Sequence, residues 1–189
     1  MNVALRRRMT IDEFLAWEER QERKWEYDGF RPVAMVGVTN AHAAIQVNLL
    51  AALAHRLRGT PCKPRGSELK IEVAGSIRYP DAFVYCTTVA PGARVITEPV
   101  VVFEILSPST EHVDLVVKNV EYRASPSIER YVVLQQMAAG ATMYSRKGED
   151  WVAETVFGEG AVLRMPEIGV EIPLAELYVD VEFPVREDD

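Results

Sequence analysis

Sulfur and imidazole are scarce in this chain, with two cysteines and three histidines among 189 residues. Cys62 and Cys86 form no Cys-x-x-Cys pair and are too few for a zinc site, so the expectation is a reduced cytoplasmic pair. His42, His55 and His112 lack the spacing of zinc ligands. No apolar run approaches the length of a membrane span; Val100-Val101-Val102-Phe103 is far too short. The arginines near the start have no apolar stretch behind them, so a secretory signal is not expected. There is no Gly-x-Ser-x-Gly, which leaves Ser107 and Ser109 as turn and capping residues rather than nucleophiles. Internal repeats, low-complexity tracts, a helix-turn-helix, a zinc finger and a basic tail are all missing.

What remains is 48% hydrophobic, enough for one soluble domain over residues 1–189 with a real core. The net charge is −7, and it is unevenly placed. Residues 167–189 hold eight acids against Arg186 alone, so an acidic segment begins at about 167 and the rest is neutral. Arg56, Arg58, Lys63, Arg65 and Lys70 cluster around a single acid, Glu68. Such a patch suits a phosphate backbone or, equally, a solvated helix end and loop.

Thr10-Ile11-Asp12-Glu13 has the form of a capping box and opens a helix to about Lys24. Trp25 to Met35 reads as a hairpin turning at Asp28-Gly29. Ala41, Ile45, Leu49, Leu53 and Leu57 mark a second helix from Thr39 to Gly59, with Ala44 and Val47 beside the stripe. Strands follow at Glu68–Ala74, Arg78–Cys86 and Pro99–Leu106, the last apolar enough to be central. A third helix fits between His112 and Ala124, barred from extension by Pro126. Tyr131–Gln135, Thr142–Arg146 and Trp151–Phe157 complete a mixed sheet, and a helical turn fits at Leu174–Tyr178. The order gives an α/β fold with a mixed central sheet flanked by helices.

Two acids stand out from this pattern. Glu104 lies inside Val100–Leu106, where an ionised, unpaired carboxylate would cost several kcal/mol, roughly. A basic partner, a metal ion or a position near water at the strand end would relieve that. Asp81, after Pro80, opens the strand Ala82-Phe83-Val84-Tyr85. If these strands are neighbours, both carboxylates reach one concave site and share a hard cation such as magnesium. Glu68-Leu69-Lys70 supplies a Glu-x-Lys, but ahead of Asp81 in the chain.

Pro80-Asp81, then Phe103-Glu104-Ile105-Leu106-Ser107-Pro108-Ser109-Thr110, then Lys118 and Tyr122 resemble the Uma-type restriction endonuclease family of the PD-(D/E)XK nuclease superfamily. The likeness runs from Met9–Phe14 through Tyr27-Asp28-Gly29 and His42 to Arg130–Leu134. It implies a restriction-endonuclease-like sheet flanked by helices. It also implies that Asp81 and Glu104 bind Mg²⁺, with Mn²⁺ as substitute, and that the Ile105 carbonyl adds a ligand. The superfamily's lysine usually stands two residues after the glutamate, where this chain has Leu106; the Uma-type pattern supplies it from the next helix, as Lys118. Its role would be to orient or deprotonate the attacking water. Glu26, His42 and Lys70 are candidates for supporting or substrate contacts, and Asp114 also fits, most simply as a first-turn helix acid. The implied activity is hydrolysis of DNA phosphodiesters, by a cytoplasmic protein that acts singly or as a homodimer. Competing expectations are an inactive nuclease fold used for binding or assembly, and a metal-dependent phosphoesterase acting on small substrates.

Overall fold

In the computed structural model, which describes residues 8–107, 112–158 and 160–183, the capping box forms as expected. The Thr10 hydroxyl accepts the Glu13 amide at 3.1 Å, and the Glu13 carboxylate accepts the Thr10 amide at 2.8 Å. The helix it opens, α1 (Ile11–Glu18), stops short of Lys24. Its last residue, Glu18, turns inward to Lys70 and Tyr79. Strands β1 (Trp25–Tyr27) and β2 (Pro32–Ala34) make the hairpin. Its loop spans four residues, with Gly29 at φ +85° and the Asp28 carboxylate accepting the amides of Phe30 and Arg31.

Helix α2 (Asn40–Arg56) starts at a Thr39 cap and buries Ile45, Leu49 and Leu53, with Leu57 following. Val47 departs from expectation and is 65% exposed. Two positions along a helix is a rotation of about 200°, which carries Val47 away from the stripe through Ile45.

The strands divide between two mixed sheets rather than filling one. The larger comprises β3 (Lys63–Gly66), β6 (Ala82–Tyr85), β8 (Pro99–Ile105), β9 (Arg130–Leu134), β10 (Gly140–Lys147) and β11 (Asp150–Phe157). Their order is β11-β10-β9-β8-β6-β3, with β8 and β9 parallel. The smaller runs β2-β1-β5-β4-β7 and adds β4 (Lys70–Val73), β5 (Ser76–Arg78) and β7 (Val95–Ile96). The single strand expected over Arg78–Cys86 is therefore broken at Tyr79–Asp81, where the chain crosses between sheets. Pro80, with no amide to donate, sits in the crossing. A separate hairpin, β12 (Val162–Met165) and β13 (Val170–Pro173), leads into α4 (Leu174–Leu177).

Strand β8 carries both faces of the core. Val101, Phe103 and Ile105 pack with α2, the β12–β13 hairpin and α4. Val102 packs the other way with Phe83, Tyr131 and Val133, under Tyr122 of α3 (Asn119–Ala124). Each fully buried side chain of this kind contributes about 1.5–3 kcal/mol. Alternation puts Glu104 on the same side as Val102, facing α3 and the π-helical turn Val113–Lys118 that precedes it.

Cys62 and Cys86 are joined by a disulfide, which corrects the expectation of free thiols. The register pairs Lys63 with Tyr85 in antiparallel strands, so the residues one step beyond face each other, a proximity that a separation of 24 residues does not reveal. The acidic segment is partly structural. Glu167 pairs with Arg130, Glu171 with Arg164 and Glu176 with Arg56, while Glu187, Asp188 and Asp189 lie outside the described residues. Among the described residues no helix is long and apolar enough to cross a membrane.

Candidate active site

Register brings the two anomalous acids together. Ala82 of β6 pairs with Phe103 of β8, so one step outward Asp81 comes opposite Glu104. Facing residues of an antiparallel pair project to the same side. Asp81 is fixed through both oxygens: Oδ2 accepts the Ile105 amide at 2.7 Å, and Oδ1 lies 2.9 Å from His42 Nε2. His42 is held in turn by the start of α2, where Thr39 Oγ1 accepts its amide. Gln46, one turn later, donates to the Asp81 carbonyl at 2.8 Å.

Glu104 is 3% exposed, and its Oε1 accepts from both Lys118 Nζ and the Tyr122 hydroxyl at 2.8 Å. Asp114, Lys118 and Tyr122 recur every four residues, which stacks them on the helical face turned toward the sheet. Lys118 Nζ lies 3.0 Å from Asp114 Oδ1 and 3.7 Å from Glu26 Oε1. Glu26 is held by Arg78 and the Tyr79 amide, each at 3.0 Å, and Arg78 grips Glu121 through two nitrogens. Asp114 fitted the family pattern and was read most simply as a first-turn helix acid, and Arg78 and Glu121 did not emerge as site residues. The four-residue recurrence is the signal that could have linked Asp114 to Lys118.

Charge in this cluster does not balance. Among the described residues, Glu26, Asp81, Glu104, Asp114 and Glu121 face two permanent cations, Arg78 and Lys118. Burial drives the Glu104 carboxyl well above the usual carboxylate range; Lys118 pulls it down, while Asp114, Asp81 and Glu26 push it further up. Burial opposes the charge of Lys118, yet Glu104, Glu26 and Asp114 outweigh it and raise the lysine above its ordinary value. Lys118 is thus kept as an ammonium, a hydrogen-bond donor rather than a base. Glu26 is likewise opposed by burial but lowered overall by Lys118, Arg78 and the Tyr79 amide.

An excess of carboxylates without enough bases fits a hard divalent cation. The donors nearest to one another across the strands, Asp81 and Glu104, offer only oxygen. Among the described residues no three His, Cys, Asp or Glu side chains form a ready cage. Two carboxylates with water in the remaining positions is nonetheless the habit of magnesium. These groups form the floor of a cleft of about 440 Å³, which Ile105 and Ser107 also line.

Other candidates lie elsewhere. Lys70 is 6% exposed and bonded to Glu18 at 2.6 Å, and it is not among the residues lining the cleft. Glu68 is exposed and pairs with Lys24. The basic cluster is dispersed: Arg56 binds Glu176, Lys63 bonds to the Thr60 carbonyl, and Arg65 stacks over Tyr85. His55 and His112 are exposed. Pro108–Glu111, which includes Ser109 and Thr110, lies outside the described residues.

Residues 11–175 match the Uma2 family, described as "putative restriction endonuclease". An uncharacterised Synechocystis protein, slr1290, is 29% identical over 180 residues, covering 93% of this chain and 94% of its own. A second from the same organism, sll1609, is 25% identical over 167 residues, covering 85% and 94%. The crystal structure of a "putative nuclease" of the DUF820 group from Anabaena variabilis superposes with a TM-score of 0.76. It covers 90% of this chain and 98% of its own, at 18% identity, so that likeness speaks for the fold.

Proposed function

The chain belongs to the Uma2 family, and from that premise we propose that it is a divalent-cation-dependent nuclease that hydrolyses DNA phosphodiester bonds. The observation that carries this reading is the opposition of Asp81 and Glu104 across β6 and β8, with Lys118 Nζ 2.8 Å from Glu104. Asp81 and Glu104 would hold a Mg²⁺ or Mn²⁺ ion. When bound, the ion supplies Lewis acidity to a phosphate oxygen and lowers the pKa of water.

The chain's own groups have distinct tasks. The Ile105 amide and His42 fix the Asp81 carboxylate so that it need not reorganise to meet a cation. The Tyr122 hydroxyl and Lys118 do the same for Glu104. Lys118, an ammonium amid three carboxylates, orients water by donation and offsets the negative charge that grows on the phosphate during attack. The Glu26–Arg78–Glu121 chain ties β1, β5 and α3 together and keeps Glu26 aimed at Lys118.

Plasmid, linear and single-stranded DNA, each with Mg²⁺, Mn²⁺ or chelator, provide the test. Wild type should cut only with a cation, and Asp81→Ala and Glu104→Gln should lose cutting by about 10²-fold or more. Absence of cutting in every metal, or an Asp81→Ala variant as active as wild type, overturns the nuclease reading. In the second reading, an inactive binding module, the purified protein would retain DNA without cutting it.

A further inference from the structure

The charged floor of the cleft does not account for its walls. Val33, Val36 and Val38, from β2 and the segment leading to α2, line it together with Val113 of the π-helical turn. Val36 is 66% exposed and Val38 58%, an apolar surface left open among the described residues. Among the described residues, the only lysine or arginine lining the cleft is Lys118, already engaged by Glu104, Asp114 and Glu26. Among these described residues, no lysine or arginine in the cleft is left to meet a second phosphate.

A duplex presents about one negative charge per 1.7 Å of axis, and its binding surfaces answer with lysine and arginine on both sides of the scissile bond. Its base faces are stacked away from any wall. An unpaired strand is different, because its bases can turn outward and lay an apolar face on a side-chain surface. The volume of about 440 Å³ suits a ligand of nucleotide size rather than a double helix.

Resting on the nuclease reading, we propose that the cleft receives an unpaired nucleotide of a DNA strand. Its phosphate lies at the Asp81–Glu104 floor and its base against the valine wall. Single strands, bubbles and frayed ends are then the substrate class, and fully paired DNA is a poor one. Strand β2 is also the outer strand of its sheet among the described residues.

The test uses the full chain with Mg²⁺ or Mn²⁺ and one labelled sequence prepared as single strand, perfect duplex, duplex with a central bubble, single strand bearing abasic positions, and RNA. The single strand and the bubble should be cut about tenfold or more faster than the duplex, with bubble cuts confined to the unpaired region. Abasic positions should slow cutting by about tenfold, because the wall then has no base to hold. Val36→Asp/Val38→Asp, changed at exposed positions and checked by circular dichroism, should erase the single-strand preference yet bind Mn²⁺ as wild type does by electron paramagnetic resonance. A duplex cut as fast as the single strand, or abasic and normal strands cut alike, overturns the substrate assignment while the nuclease reading stands. Faster cutting of the RNA overturns the assignment to DNA. If no form is cut, the nuclease reading falls and takes this inference with it.

Discussion

Lys70 and Lys118 are both buried, at 6% and 7% exposure, but their surroundings differ in charge balance. Lys70 meets one carboxylate, Glu18, at 2.6 Å, and the Tyr79 hydroxyl donates to the same carboxylate at 2.8 Å. One positive and one negative charge are closed off by a neutral donor, joining α1 to β4 and the crossing between sheets. Lys118 meets three carboxylates, and Asp81 adds a fourth across the strands, on the floor of an open cleft. Burial of a lysine is therefore not the mark of a site. An uncompensated surplus of the opposite charge beside accessible space is a better one, because it leaves work for a cation that the fold itself does not supply.

Removing each lysine should separate the two arrangements most strongly. Lys118→Met should lower DNA cutting by roughly 10²–10³-fold. It should also make Mg²⁺ raise the melting temperature more than in wild type, since the surplus of carboxylates has grown. Lys70→Met should lose about 3–5 kcal/mol in urea denaturation, the usual result of stranding one buried partner. The folded fraction should still cut DNA at the wild-type rate and gain no extra Mg²⁺ stabilisation. Equal cutting by wild type and Lys118→Met, or a folded but inactive Lys70→Met, would break the distinction.

A gentler pair of changes probes how each carboxylate is held. His42→Ala should weaken Mn²⁺ binding, followed by electron paramagnetic resonance, by roughly 10–100-fold, the range for losing a group that orients a ligand. His42→Gln, which retains an N–H donor, should recover part of this. Tyr79→Phe removes one hydrogen bond from Glu18 and should cost about 1 kcal/mol with no change in Mn²⁺ affinity. Unchanged affinity in His42→Ala would show that Asp81 is held well enough by the Ile105 amide alone.

The acids of the site were more legible in the sequence than their framework. Glu104 was conspicuous because a carboxylate interrupts an apolar central strand, and that signal needs no partner to be read. Asp81 required register, which depends on how two distant segments align, and the sequence offered only the prospect that they are neighbours. Lys118 was legible through the family resemblance alone, and its place beside Glu104 appeared only once the helical face of Asp114, Lys118 and Tyr122 was set against the sheet. The same dependence on pairing hid the Cys62–Cys86 bond and the division of the strands into two sheets. The β12–β13 hairpin escaped because its strands are four residues each and much of its packing is against α2, far earlier in the chain. Lys70 illustrates the reverse case: in the sequence it belonged to a basic cluster and was a candidate for substrate contact, whereas it is buried by an ion pair with a residue 52 positions away.

The smallest effect lies in the acid limb of stability. Lys118, Arg78 and the Tyr79 amide hold Glu26 ionised below its ordinary value of 4.5, against the opposing effect of burial. A depressed folded pKa contributes stability that is present above the unfolded value and is lost as pH falls through the folded one. Glu104 has the opposite sign: its raised folded pKa contributes stability below the unfolded value that fades as pH rises. Well below pH 4.5 Glu104 is protonated in both states and adds no slope, so there the difference between wild type and Glu26→Gln reports Glu26, while Glu176, lowered by its bond to Arg56, contributes to both. Urea midpoints measured there on cation-free protein should fall more steeply with acid for wild type than for Glu26→Gln. The difference is at most ~1.4 kcal/mol per pH unit, the limit for one proton. If Glu26→Gln leaves the acid slope unchanged, Glu26 is not among the charges that Lys118 holds.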